Sequence, residues 1–346
     1  MRAMAVGEST SRKLAAFGFI GVFGVTMIHA AQPVPADPAQ AGWWFYRMTA
    51  GVFGRLAVPF FFAVSGFFLA RRAGEPGWWT RAVSKRWRTV AVPYLFWLAV
   101  WDVYAVGLTI LGNVRSGAGL WARLPVGWDA LVFLGLHPFR EPFDIPLWFL
   151  RSLFLFVLAS PALFALLRRF GRGFLAVLFA LLLTAAADGA PEWVEGFVGR
   201  FISARGLFYF SAGAWLAMGG NRLPSGGAAV CAMALGLPGL VFSEWMASKG
   251  LPGAHVVHAF FLPWGLLCVW RAMPSVRWPA WLTGCTFAVY ILHVFAIRLL
   301  DLGLYGRTGC GVLAFKYAAG FGMALAAALA LRRFFPRFSS FAFGGR

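Results

Sequence analysis

Leu14 to Ala30 reads LAAFGFIGVFGVTMIHA, an apolar run that presents one ionisable side chain, His29, in its last turn and follows the basic pair Arg12 and Lys13. A stretch of this length and character is a membrane-helix candidate, and about ten such segments recur: 14–31, 52–70, 89–111, 147–167, 173–188, 203–219, 227–244, 255–271, 282–300 and 310–331. The apolar patch 129–136 is too short to span and reads as re-entrant or interfacial. Composition agrees: 60% of residues are hydrophobic, 12% are charged, and the mean hydropathy is +0.73. A soluble domain carries roughly twice that charge. The expected fold is therefore an all-α, polytopic integral membrane protein, with 1–346 as a single transmembrane domain and 1–13 and 332–346 as tails. The first segment is long for a signal-peptide core and no small-residue cleavage site follows it, so it is expected to stay in the protein.

The formal net charge of +19 invites a nucleic-acid reading. The basic residues, however, lie between apolar segments instead of on one patch, so nucleic acid is not an expected partner and the lipid bilayer is. With the N-terminus inside, the inner segments hold Arg12, Lys13, Arg71, Arg72, Arg81, Lys85, Arg86, Arg88, Arg168, Arg169, Arg172, Arg271, Arg277, Arg332 and Arg333. Most acids, among them Asp37, Asp129, Glu141, Asp144, Glu192, Glu244 and Asp301, fall in the outer segments. This is the alternation that basic cytoplasmic loops impose, and it predicts both termini on the cytoplasmic side. Cys231, Cys268, Cys285 and Cys310 have neither disulfide nor metal spacing. His255 and His258 have no carboxylate or third ligand beside them, so no metal is expected. His137, in the HPF turn of the long outer loop, reads as a loop residue. No internal repeat is apparent, which counts against a transporter.

Depth along the helices is more informative. A helix rises ~1.5 Å per residue, so His29 lies ~22 Å from Leu14 and Asp102 ~21 Å from Arg88, both in the outer half of a bilayer core about 30 Å thick. Arg55 sits near the outer end of the second helix, with Ser65 deeper. Trp148 and Arg151 open the fourth helix and Arg205 the sixth; Tyr290, His293 and Arg298 lie on the ninth and Lys316 on the tenth. Ionisable groups at one depth face the bundle interior and pair there, which predicts a polar cavity open to the outer side; snorkelling to the interface is the competing reading for Arg55, Arg205 and Arg298. At the inner side, RRAGEPGWWTRAVSKRWRTVAVPY interleaves basic residues with Trp78, Trp79 and Trp87, a composition suited to phosphates and a stacked base. Gly18, Gly21 and Gly24 give the first helix a thin face, read as close helix packing.

Five stretches in order, VTMIH (His29), RLAVPFFFAVSGFFLARR (Arg55, Pro59, Ser65, Gly66), KRWRTVAVPYLFW (Arg86, Arg88, Pro93, Tyr94), PLWFLRSLFLF (Trp148) and FAVYILH (Tyr290, His293), resemble the acyltransferase 3 family of bacterial multi-pass membrane proteins. The resemblance implies acyl transfer from acyl-CoA, with acetyl-CoA the expected donor, to a hydroxyl of a cell-envelope glycan or lipid-linked sugar at the bacterial inner membrane. It implies His29 as general base or acyl relay, Arg55 as oxyanion or acceptor contact, and Arg86 and Arg88, with Lys85 beside them, as CoA-phosphate ligands. Ser65, Trp148, Arg151, Tyr290 and His293 are expected to line the substrate site. Asp102, at the depth of His29, is added on depth alone as the group that orients the imidazole. Two departures stand out: Gly18 occupies the place of an arginine common in the family, and Arg151 lies where the branch with a hydrolase-like partner domain has a glutamate. The chain is expected to be a stand-alone member, too short for an appended domain. The alternative from another class is a secondary transporter using the same outer cavity. The oligomeric state is not legible.

Overall fold

The structure, a computed structural model, describes residues 7–31, 42–116, 146–191, 193–218, 226–304, 306–307 and 309–345. The patch 129–136, His137 and the acids Asp37, Asp129, Glu141, Asp144 and Glu192 lie outside the described residues. A chain this apolar must satisfy its backbone within its own segments, and helices do so. All ten apolar segments are helical: α1 Glu8–Ala30, α2 Trp43–Ala70, α3 Trp78–Leu111, α4 Leu147–Phe170, α5 Arg172–Ala185, α6 Ala204–Ala217, α7 Gly227–Ser248, α8 Ala254–Ala272, α9 Thr286–Leu304 and α10 Cys310–Phe334. Among the described residues there are no strands, and seven helices are long and apolar enough to cross a membrane. The segments outside that set are α5 and α6, 14 residues each, and the proline-containing α8. The protein is a multi-pass, all-α membrane protein.

Helix ends differ from expectation where polar residues sit inside helices. α2 starts at Trp43 instead of 52, through a π-helical stretch Arg47–Phe53 and a 3-10 turn Gly54–Leu56. α7 continues past 244 to Ser248, and α9 past 300 to Leu304. Glu244 and Asp301, expected in outer segments, are therefore helical residues. Further π-helical stretches cover Trp87–Ala91 within α3 and Val194–Phe201 before α6.

Glycines set the closest crossings. A Cβ on Gly66 of α2 would overlap the carbonyl of Phe210 on α6, and one on Gly213 would overlap the carbonyl of Ala63. Gly24 of α1 meets Gly54 of α2 in the same way, with a Cβ on Gly54 falling 2.8 Å from the Gly24 carbonyl. Small residues let backbones approach in a medium that offers no hydrophobic drive between helices. The thin face of α1 is thus filled: Gly21 takes the Phe61 ring and Gly24 takes α2. Phe62, Phe164 and Phe210 fill the centre behind these crossings. Within the segment read as a C-terminal tail, Pro336–Ala342 forms a helix, α11, that docks on α3. Trp97 Nε1 donates to the Ala342 carbonyl at 2.9 Å, and the Phe343 ring stacks on Trp97.

Candidate active site

α1 ends where the Ala31 amide bonds the Met27 carbonyl, which leaves His29 in the last turn, half-buried. Its ring lies 5.2 Å, centroid to centroid, from that of His293 on α9. His293 is fully buried, and its Nδ1 stands 2.6 Å from the Tyr290 carbonyl oxygen. A carbonyl only accepts, so Nδ1 carries the proton and Nε2 of the neutral ring carries the lone pair. That Nε2 is buried and makes no hydrogen bond. An imidazole in this state can take a proton from a group brought to it. Ala30 and Ala31, which follow His29, and Ile297, one turn beyond His293, belong to one buried apolar cluster with Tyr46, Ala50, Leu313 and Tyr317. Further along α9, Arg298 acts electrostatically on His29.

No hydrogen bond or ion pair joins His29 to Asp102. The neighbour the structure brings to His29 is His293. Asp102 is partly buried on α3, next to Trp101, whose ring stacks on Phe295 of α9 at 4.5 Å; its Oδ1 is buried without a hydrogen bond. Tyr290 donates its hydroxyl to the Pro146 carbonyl, which fixes the start of α4 against α9. Trp148 follows there, packed on Phe62. Arg151, one turn on, is buried with its guanidinium 4.9 Å from the Phe201 ring. Ser65 lies on α2, partly buried, one residue before the Gly66 crossing.

Arg55 is engaged elsewhere. Its Nη1 bonds Glu244 Oε1 at 3.1 Å, while Arg47 Nη1 bonds Glu244 Oε2 at 2.9 Å. Glu244 is almost wholly buried. It fits because Gly51, between the two arginines on α2, has no side chain: a Cβ there would lie 2.7 Å from the carboxylate carbon. His258 Nδ1 approaches the same carboxylate at 3.8 Å and Ser243 Oγ at 3.1 Å. The sequence reading missed Arg47 and Ser243, took Glu244 only as an outer-segment acid, and saw no carboxylate beside His258. The available signal was that Glu244 is the sole acid between Glu195 and Asp301, inside an apolar region. A second buried pair, Lys316 Nζ to Asp301 Oδ1 at 2.7 Å, ties α10 to α9.

At the opposite end of α2 a cavity of about 470 Å³ is lined by Arg72, Arg81, Lys85, Arg86, Glu75 and Trp78, with Phe68, Leu69 and Ala82. Lys85 and Arg86 therefore line it together, whereas Arg88 is exposed outside it, in the π-helical stretch. Trp79 donates to the carbonyls of Val157 and Leu158, and Trp78 stacks on Phe164, so these indoles pin the start of α3 to α4. Trp87 is the most exposed of the three. From Ala50, clustered with Ala30 and Ala31 at the end of α1, to Phe68 at the cavity, α2 advances ~27 Å. The two regions thus stand a membrane core apart. Among the described residues, no three His, Cys, Asp or Glu side chains gather as a metal site.

Comparison with known proteins bears on this arrangement. The succinoglycan biosynthesis protein ExoH of Rhizobium meliloti (strain 1021) is 28% identical over 177 residues, a match covering 49% of this chain and 42% of that protein. The match thus spans less than half the length of that relative. No solved structure matches. The family profile described as an acyltransferase domain matches residues 19–333, from within α1 to the end of α10 and including both histidines. The chain belongs to the acyltransferase 3 family.

Proposed function

We propose that the protein moves an acyl group, acetyl in the first instance, from acyl-CoA to a hydroxyl of a cell-envelope glycan or lipid-linked sugar. The observation that carries the reading is the pairing of His29 with His293 inside a family acyltransferase domain, with a basic cavity ~27 Å away along α2. The similarity to a protein named for polysaccharide biosynthesis supports a glycan acceptor. With the basic end at the cytoplasmic face, both termini are inside, as the charge alternation favours.

The cavity of Arg72, Arg81, Lys85 and Arg86 takes the donor's phosphates. Guanidinium groups recognise phosphate oxygens bidentately, and the family arginine replaced here by Gly18 is not needed to supply that charge. At the other end the acceptor hydroxyl lies between the imidazoles. His29, half-buried, meets the hydroxyl and takes its proton as the oxygen attacks the thioester carbonyl. The thiolate leaves as CoA and is protonated by the imidazolium, so atoms and charge balance. His293, held by the Tyr290 carbonyl, keeps an accepting nitrogen beside the base. Tyr290 and Trp148 shape the wall by fixing the start of α4.

The test supplies radiolabelled acetyl-CoA to membranes with and without the protein and follows label into envelope glycan. Protein-dependent label in glycan is the expected result. Label that enters no acceptor with any common acyl-CoA overturns the reading.

A further inference from the structure

The cluster around Glu244 holds more positive charge than it neutralises. Arg47 and Arg55 share the one carboxylate of Glu244. Arg205 is within electrostatic reach of Arg55 and of His258, and among the described residues no carboxylate pairs with it. It stands in the first turn of α6, whose Ser203 cap accepts from the Gly206 amide at 3.1 Å, at the helix end that is itself positive. Local structure therefore adds to its charge instead of offsetting it. The other groups facing the cluster are uncharged or exposed: Tyr46 and Tyr209 carry hydroxyls, Ser243 bonds His258, and His255 points to the surface. His258 is buried, and its Nε2 makes no hydrogen bond. Arg55 keeps a third of its side chain exposed, so the cluster is open on the Arg55 side.

Unpaired guanidinium charge within a membrane-embedded helix bundle is costly and marks a place that a ligand completes. We propose that Arg55 and Arg205, framed by Arg47 and Glu244, bind an oxyanion of the substrate, a carboxylate or phosphate, so that the preferred acceptor is an acidic glycan. The proposal rests on the acyl-transfer reading for the identity of the substrate, but not for the existence of the site. Glu244 acts as the built-in competitor: it holds Arg47 and Arg55 when the site is empty and shares them when an anion arrives.

The test uses the full-length protein in detergent and reads its thermal unfolding midpoint during titration. The probes are oligogalacturonate, a neutral malto-oligosaccharide of equal length, malonyl-CoA and acetyl-CoA. Oligogalacturonate should stabilise the wild type at concentrations where the neutral sugar does not. Arg205→Gln should weaken that effect about tenfold or more, the size of one charge-assisted hydrogen bond, and Arg205→Lys should restore part of it. If Arg205→Gln does not fold, Glu244→Gln reads the same site in the opposite sense, tightening the acidic probe. An Arg205-dependent advantage of malonyl-CoA over acetyl-CoA supports the site and places the anion on the acyl group. Equal response to acidic and neutral sugars, with no malonyl-CoA advantage, overturns it, as does a response unchanged in Arg205→Gln. Because the readout is binding, a protein that binds the acid but transfers no acyl group would sink the acyl-transfer reading and leave the site standing.

Discussion

His293 shows how much one hydrogen bond decides. The Tyr290 carbonyl fixes the tautomer, and the tautomer leaves Nε2 as the accepting atom. His293→Ala should lower acyl transfer, and His293→Gln, whose amide oxygen can still accept a hydrogen bond beside the base, should restore part of it. Steady-state rates of the two variants check this. The basic cavity makes a second prediction. Lys85→Gln with Arg86→Gln should raise the KM for acyl-CoA with kcat at saturation less affected, whereas Arg88→Gln, outside the cavity, should change KM little. A third concerns stability. Lys316→Met leaves the largely buried Asp301 without that cation, and breaking such a pair costs about 3–5 kcal/mol. The double variant Lys316→Met, Asp301→Leu should recover much of that loss in a detergent unfolding midpoint.

The same residues show what was legible in the sequence and what was not. His29 and His293 could be placed at one depth, because rise per residue is fixed and both lie on unbroken apolar helices. Their pairing could not be read, since depth does not give rotation about the helix axis; Asp102 shares the depth of His29 but no bond with it. Glu244 and Asp301 were read as outer-segment acids at helix ends because a charge at the end of an apolar run looks like its boundary. Each helix continues, and each acid is satisfied by a cation from another helix. Only tertiary structure supplies that partner.

At the scale of elements, α2 does most to organise the site. Gly54 seats α1, Gly51 admits Glu244, Gly66 seats α6, and the far end lines the basic cavity. Gly66→Ala should therefore be more damaging than Gly51→Ala. At Gly66 the new methyl meets backbone, which cannot yield; at Gly51 it meets a side-chain carboxylate, which can be displaced. Folded yield after membrane extraction should be low for the first. The second should fold, with a lower unfolding midpoint and altered response to acidic ligands. The π-helical stretch Arg47–Phe53 carries Arg47 and Gly51 within one widened turn, the kind of local distortion that recurs at functional sites. The ten-segment reading located α1 to α10 but not α11, and hydropathy gives no signal for a π-helical turn, so the start of α2 was placed late.

At the scale of the whole molecule, the protein sets a basic cavity and a histidine pair a membrane core apart, with closely packed helices between them. Gly21 and Gly24 on α1 are occupied by Phe61 and Gly54, so the packing leaves no open channel along that face. Under the proposed reading, an acyl group that travelled along this face of α1 would need the helices to shift. The most direct measurement is transfer of label from radiolabelled acetyl-CoA to envelope glycan by wild type and by His29→Ala at equal protein levels in membranes. The account predicts protein-dependent labelling in the wild type and a fall of about 10²–10⁴-fold in His29→Ala. Labelling at the wild-type rate in His29→Ala would contradict it.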